Sequence, residues 1–231
     1  MISYSHLVVA NYLEPYLCLD NKQDYYLGVI VPDIRYYCEI SREETHLTVE
    51  VIASFFKQHP HLKSFILGYL VHCLTDEYKR LTNILPLYMR PLFYCLPNHI
   101  LQVLIELYYI ENTKVYVQIS SISNELLHNN LNIKDNDVIF FTQKINSFIK
   151  SPSVESEINI AQDLKILKHP DSEKYIKIAN IVNNSTIKRK LFAHFNEGRL
   201  RQKMIAYILS ELRKINRFIC IDRILTNKSS S

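Results

Sequence analysis

Ser64-Phe65-Ile66-Leu67-Gly68-Tyr69-Leu70-Val71-His72-Cys73-Leu74-Thr75-Asp76-Glu77 is the stretch that decides the fold. Its apolar recurrence predicts a central helix over roughly His61 to Leu81. His72 and Asp76 stand four residues apart, so on a helix they share a face. Gly68, one turn earlier on that stripe, is expected to leave room beside them. An imidazole and a carboxylate on a buried face need a partner. A divalent ion such as zinc would supply one, and so would a hydrogen-bonded core pair.

Outward from this helix, the composition supports an all-α chain. Three glycines in 231 residues are too few for the turns of a many-stranded sheet, and 48% hydrophobic content is enough for one sizeable core. A single domain is expected over 1–231. Sixteen tyrosines and no tryptophan imply many half-buried phenols whose hydroxyls need partners. The five cysteines, Cys18, Cys38, Cys73, Cys95 and Cys220, form no C-x-x-C pair, so they read as small apolar fillers. The N-terminal residues do not form a signal peptide and no apolar run matches a bilayer span, so a cytoplasmic protein is expected.

Upstream, Ser5 to Leu13 reads as a helix with Ser5 as N-cap and His6 in the first turn, ended or kinked by Pro15. Gly28-Val29-Ile30-Val31-Pro32-Asp33 is an apolar run stopped by proline. Pro32 biases Val31 toward extended backbone and makes Asp33 a loop carboxylate, either cap or ligand. Arg42 to Ile52 opens another helix, with Leu47, Val51, Phe55 and Phe56 inward and His46 beside that face. The candidate metal ligands are therefore His6, Asp33, His46, His72 and Asp76, all within residues 1–82.

Downstream, Asn83 to Asn98, punctuated by Pro86, Pro91 and Pro97, reads as a loop that could cover a pocket. Helical recurrence marks Ile100 to Tyr109, Val138 to Ile149, Ile158 to Leu167, Ser172 to Val182 and Leu200 to Ile215. The last carries Met204, Ile208, Leu212 and Ile215 on one stripe. Lys114 to Ile119 has β-branched alternation. Eleven Lys/Arg against three acids between Lys188 and Lys228 make the C-terminal helices, 185–226, basic. That charge fits solvated outer faces, and leaves attraction of an anionic substrate or peripheral membrane contact open. Nucleic acid is not an expected partner, because the aromatics there fall on helix cores rather than between the charges.

Ser5-His6-Leu7, Gly28 through Pro32-Asp33, Thr45-His46 and Leu67-Gly68-Tyr69-Leu70-x-His72-x-x-x-Asp76 together resemble the bacterial zinc-dependent phospholipase C family, related in fold to the fungal zinc nucleases. The resemblance covers the first third of the chain. It implies an all-α multi-helix bundle of phospholipase C and zinc nuclease type. It implies that Asp33, His46, His72 and Asp76 hold one Zn2+, with Asp76 bridging toward a second ion reached by His6. It also implies that Asp33 is the catalytic base in hydrolysis of a phosphate ester, either a phospholipid or a small molecule. The family's third metal uses a histidine where this chain has Thr82, and no tryptophan is present to complete the second site. Met1, Glu77 or water would have to contribute there, while His169-x-x-x-Glu173 and His194 are poor replacements for the third site. His99 and His128 are expected to face solvent. Thr45, Glu77, Tyr36, Tyr37 and Tyr69 are candidates to orient the imidazoles. The competing expectation is a catalytically degenerate relative that keeps zinc as a structural clip in a binding protein.

Overall fold

The computed structural model describes residues 4–81, 98–122, 125–153 and 197–219, with isolated positions between 155 and 192. The described residues are all-α: α1 (Tyr4–Leu13), α2 (Lys22–Ile30), α3 (Arg35–Cys38), α4 (Arg42–Thr45), α5 (Val49–Gln58), α6 (Lys63–Leu81), α7 (Asn98–Asn112), α8 (Glu125–Asn129), α9 (Asp135–Lys150) and α10 (Glu197–Ile219). Short 3-10 turns follow α1, α2 and α5, at Glu14–Tyr16, Val31–Ile34 and Pro60–Leu62. No described helix is long and apolar enough to cross a membrane.

The most extensive pairing is α2 on α6, and the two glycines explain it. A Cβ on Gly28 would lie 2.0 Å from the Phe65 carbonyl oxygen, and one on Gly68 would lie 1.9 Å from that of Tyr25. The helices therefore cross backbone on backbone, which only glycine permits. This corrects the expectation for Gly68: it makes room for α2 rather than for an ion. Ser64 reinforces the crossing, because its Oγ accepts the N–H groups of Asp20 and Asn21 at 2.8 and 3.0 Å. Asn21 in turn caps α2 by accepting from Gln23 and Asp24.

Around this pair, α1 packs on α7, α2 and α6, and α10 lies across α6, α5 and α1. The stripe Met204, Ile208, Leu212 and Ile215 is buried as its spacing predicts, joined by Leu200. Arg201 on α10 lies over the Tyr12 ring at 4.8 Å, so part of the basic C-terminal charge packs within the molecule.

Ser5 is not the cap of α1. It lies within the helix, and its N–H donates to both carboxylate oxygens of buried Glu106 on α7, at 3.2 and 3.1 Å. A distant carboxylate thus serves the positive helix terminus. Lys114 to Ile119, with their alternation of β-branched residues, form neither helix nor strand. Side chains hold them instead: Val115 N–H donates to the Tyr4 hydroxyl, and Asn146 bonds both the N–H and the carbonyl of Ile119. Backbone groups without a helix or sheet still need partners, and these side chains provide them.

Cys18, Cys38 and Cys73 are free, and burial pushes the Cys38 and Cys73 thiols up to about 12, as suits inert fillers. Asn98 begins α7, while residues 83–97 of the expected loop, the helices expected over 158–167 and 172–182 apart from isolated helical positions at 159 and 177, Cys95, Cys220, Thr82, His169, Glu173 and His194 lie outside the described residues. So does Met1, and nothing is described of the His99 side chain.

Candidate metal centre

Four segments converge on one face of α6. The first is α1, which brings His6. The second is the turn after α2: α2 extends through Ile30, and Val31–Ile34 form a 3-10 turn, with Val31 in the right-handed helical region rather than extended. Asp33 is buried in that turn and not on an open loop. Pro32 has no N–H to lose there, which suits it to the start of a new turn.

The third segment is the break between α4 and α5. The stretch from Arg42 to Ile52 is two helices and not one. Ser41 and Glu44 form a capping box that starts α4, Thr48 caps α5, and His46 sits in the gap with φ −114° and ψ 70°. The break rotates the following helix, so Ile52, Phe55 and Phe56 are buried while Val51 is exposed, contrary to its expected inward position. Tyr69 of α6 holds the gap from both sides, donating to the Thr45 carbonyl and accepting from Leu47 N–H at 3.4 Å. Glu39, in the left-handed region at φ 57°, turns the chain between α3 and α4.

The fourth segment is α6 itself, with His72 and Asp76. His72 is fully buried, and its Nδ1 donates to the Val29 carbonyl at 2.7 Å. That bond exists because the glycine crossing brings α2 close. It fixes the tautomer with Nε2 as a lone pair, and that buried atom has no hydrogen-bond partner. A similar arrangement holds His46, whose Nδ1 is 3.2 Å from Thr45 Oγ1. The Thr45 hydroxyl lies within 3.3 and 3.4 Å of the Ser41 and Arg42 carbonyls, where it donates its own proton, so it accepts from the imidazole. His46 Nε2 then points a lone pair at Asp76 Oδ2, 3.4 Å away, without a hydrogen bond. His6 donates from Nε2 to Asp76 Oδ1 at 2.9 Å, leaving its buried Nδ1 without a partner.

Three imidazoles thus end in unpartnered buried nitrogens around two carboxylates. One donor atom each from His6, Asp33 and His72 lies within 4.8 Å of the others, and the same holds for His46, His72 and Asp76. The grouping differs from the expected allocation, since His6 falls with Asp33 as well as with Asp76. His72 has only one nitrogen to give, because Nδ1 is committed to Val29. The two groups therefore form one connected cluster and not two separate sites. Its rings pack tightly: His6 stacks on His72 at 4.0 Å, and His46 meets His72 edge-on at 5.3 Å.

The electrostatics favour a cation. Burial raises the Asp33 carboxyl, but the facing imidazoles, His72 foremost, more than offset this and hold it below its ordinary value. Asp76 is held well below the carboxylate range, its burial outweighed by the neighbouring His46 imidazole and by the hydrogen bond from His6. Desolvation, followed by repulsion from His6, pulls His72 down to about 3, so it stays neutral and able to donate a lone pair.

Sequence reading missed Arg42. Its Nη2 donates to Asp76 Oδ2 at 2.7 Å, with the arginine side chain 41% and the aspartate 20% exposed, so the cluster opens to solvent beside a guanidinium. The available signal was its position one helical turn before His46. Tyr36 stands nearby, where burial and then the Asp33 carboxylate push its phenol up, and Arg35 covers its ring at 3.9 Å. Among the other candidate orienting residues, Thr45 and Tyr69 position His46, while Tyr37 packs against Phe140. His128 is on the surface and pairs with Asp135 at 2.9 Å. Compared with protein-family models, curated proteins and solved structures, the chain finds no match in any of the three.

Proposed function

We propose that the protein is a zinc-dependent hydrolase of phosphate esters. The observation that carries this reading is the set of three buried, unpartnered imidazole nitrogens facing Asp33 and Asp76. Desolvated lone pairs pointed at carboxylates are costly without a cation between them. Imidazole and carboxylate donors of this kind suit zinc. Asp33, His72 and His6 on one side, and His46 and Asp76 on the other, would hold the metal in this connected cluster. The resemblance of these segments to the phospholipase C family motivates the same set of five ligands.

The chemistry that such an ion supplies when bound is activation of water, whose pKa falls toward ~7, and withdrawal of charge from a phosphoryl oxygen. The chain's own residues supply the rest. Asp33, ionised at neutral pH, accepts the proton of the attacking water. Arg42, half-exposed at the opening, offers a planar pair of donors to the non-bridging phosphoryl oxygens. Val29 and Thr45 hold the His72 and His46 rings in their ligating tautomers. The substrate is a soluble phosphoester or the headgroup of an inner-leaflet phospholipid, and the place of action is the cytoplasm.

A second reading, zinc as a structural clip in a binding protein, draws on the way the cluster ties four chain segments together. Elemental analysis of the purified protein, with hydrolysis of a generic phosphodiester before and after chelation, separates the two. Chelator-sensitive turnover is the expected result, with both the turnover and the zinc of the buried centre removed by His72→Ala or Asp76→Ala. One tightly held ion with no turnover across a panel of phosphoesters would establish the clip instead.

A further inference from the structure

A second group of metal-ligating side chains lies on the surface and shares no residue with the buried centre. We propose that His59, His61 and Glu125 form a site for one borderline divalent transition ion, of the zinc, nickel or copper class, which clips the corner between α5 and α6 to α8. One donor atom from each of the three lies within 4.8 Å of the others.

The sequence His59-Pro60-His61 builds a rigid bidentate corner. His59 ends α5, with its N–H shared between the Phe55 and Phe56 carbonyls at 3.0 and 3.2 Å. Pro60 opens the 3-10 turn and fixes φ there, and the turn closes by Leu62 N–H donating to the His59 carbonyl at 3.0 Å. The His59 ring is clamped flat against Phe55, with centroids 4.4 Å apart and planes 24° from parallel. The His61 ring stands 5.9 Å from it at 73°, so the two imidazoles are held at an angle and do not stack.

Glu125, the first residue of α8, approaches this corner from a remote part of the chain and places Oε1 3.4 Å from His61 Nε2. Its own backbone N–H, then burial working the other way and the two histidines, leave its carboxyl below the ordinary value, so it is an anionic donor at neutral pH. Donors around a tetrahedral ion with bonds of ~2.0–2.2 Å stand roughly 3.4 Å apart. The His61–Glu125 pair already has that spacing. His61 and Glu125 are 62% and 44% exposed, so both are free to adjust toward the fixed His59 ring. Two imidazoles and one carboxylate select borderline ions over magnesium or calcium, which need more oxygens. Water completes the shell at this exposed face.

The test is calorimetric titration of Ni2+ into the full chain, in the wild type and in His61→Ala, Glu125→Gln and His72→Ala. His61→Ala should lose one equivalent of Ni2+, or weaken that equivalent by at least about tenfold. Glu125→Gln should weaken the same equivalent, and His72→Ala should retain it. This last variant makes the outcome independent of what the buried centre binds. Because His61 is exposed, circular dichroism should show an unchanged helical fold in its variant. Identical stoichiometry and affinity in wild type, His61→Ala and Glu125→Gln would overturn the proposal.

Discussion

The buried centre and the surface cluster use the same residue types and differ in what holds them. At the buried centre each imidazole is committed at one nitrogen: His72 to the Val29 carbonyl, His46 to the Thr45 hydroxyl, and His6 to Asp76. At the surface, one ring is clamped by Phe55 while His61 and Glu125 stand in water. Water can satisfy an exposed nitrogen at little cost, whereas a buried one stays unsatisfied until a ligand arrives. The difference teaches that burial turns a group of histidines into a preorganised site. A corner turn can only bring such donors near one another.

The largest effect should come from the scaffold that creates this preorganisation. Gly28→Ala or Gly68→Ala drives a methyl group into a facing backbone carbonyl, and neither backbone can yield without separating α2 from α6. A loss of about 3 kcal/mol or more is expected, at the upper end for overpacking, measured as a fall in the urea midpoint. A metal-binding defect at the buried centre should accompany it, because the Val29 carbonyl would retreat from His72, while Ni2+ binding at the surface cluster persists in whatever fraction stays folded. Wild-type stability in both glycine variants would break the comparison at its base.

Acid sharpens the contrast next. In the metal-free protein, His72 titrates at about 3 when folded and near ~6.5 when unfolded. Between those values the unfolded chain binds more protons, so stability is present above pH ~6.5 and is lost as pH falls toward 3, by on the order of 1.4 kcal/mol per pH unit. Asp33 and Asp76, both depressed, act in the same direction only below the ordinary carboxylate value of ~3.8. Urea denaturation across pH 7 to 4 should show this slope in the wild type and a smaller one in His72→Gln.

The smallest structural effect, with a selective functional one, is expected for Arg42→Ala. Its half-exposed ion pair with Asp76 contributes about 1 kcal/mol or less to stability. If Arg42 holds the phosphoryl group, phosphodiester turnover should fall by about 10²-fold while zinc content stays unchanged, and Arg42→Lys should restore only part of it. Equal turnover in wild type and Arg42→Ala would remove Arg42 from the reaction and leave the metal reading intact.

Much of the architecture was legible in residue spacing. The α6 helix, the α10 stripe and the shared face of His72 and Asp76 follow from helical periodicity, which is a local property. The errors fall where a distant group overrode a local signal. Ser5 looked like a cap until Glu106 arrived from α7, and Lys114–Ile119 looked like a strand although side chains satisfy its backbone. Val51 looked inward because the break at His46 leaves no strong mark in a continuous polar and apolar pattern. Gly68 was recognised as important for the wrong reason: sequence shows that space is needed at a position, not what fills it.

By itself, then, the amino-acid sequence determined that the chain is helical, that the stripe of α10 faces the core, and which five side chains could serve as metal ligands. Only the tertiary structure decided that those five meet, which nitrogen each histidine leaves free, and that Arg42 stands at the opening. Helical spacing acts within a few residues, whereas a tautomer is set by whichever donor or acceptor the packing of remote helices places beside the ring. In this protein that packing depends on two glycines that let α2 and α6 touch.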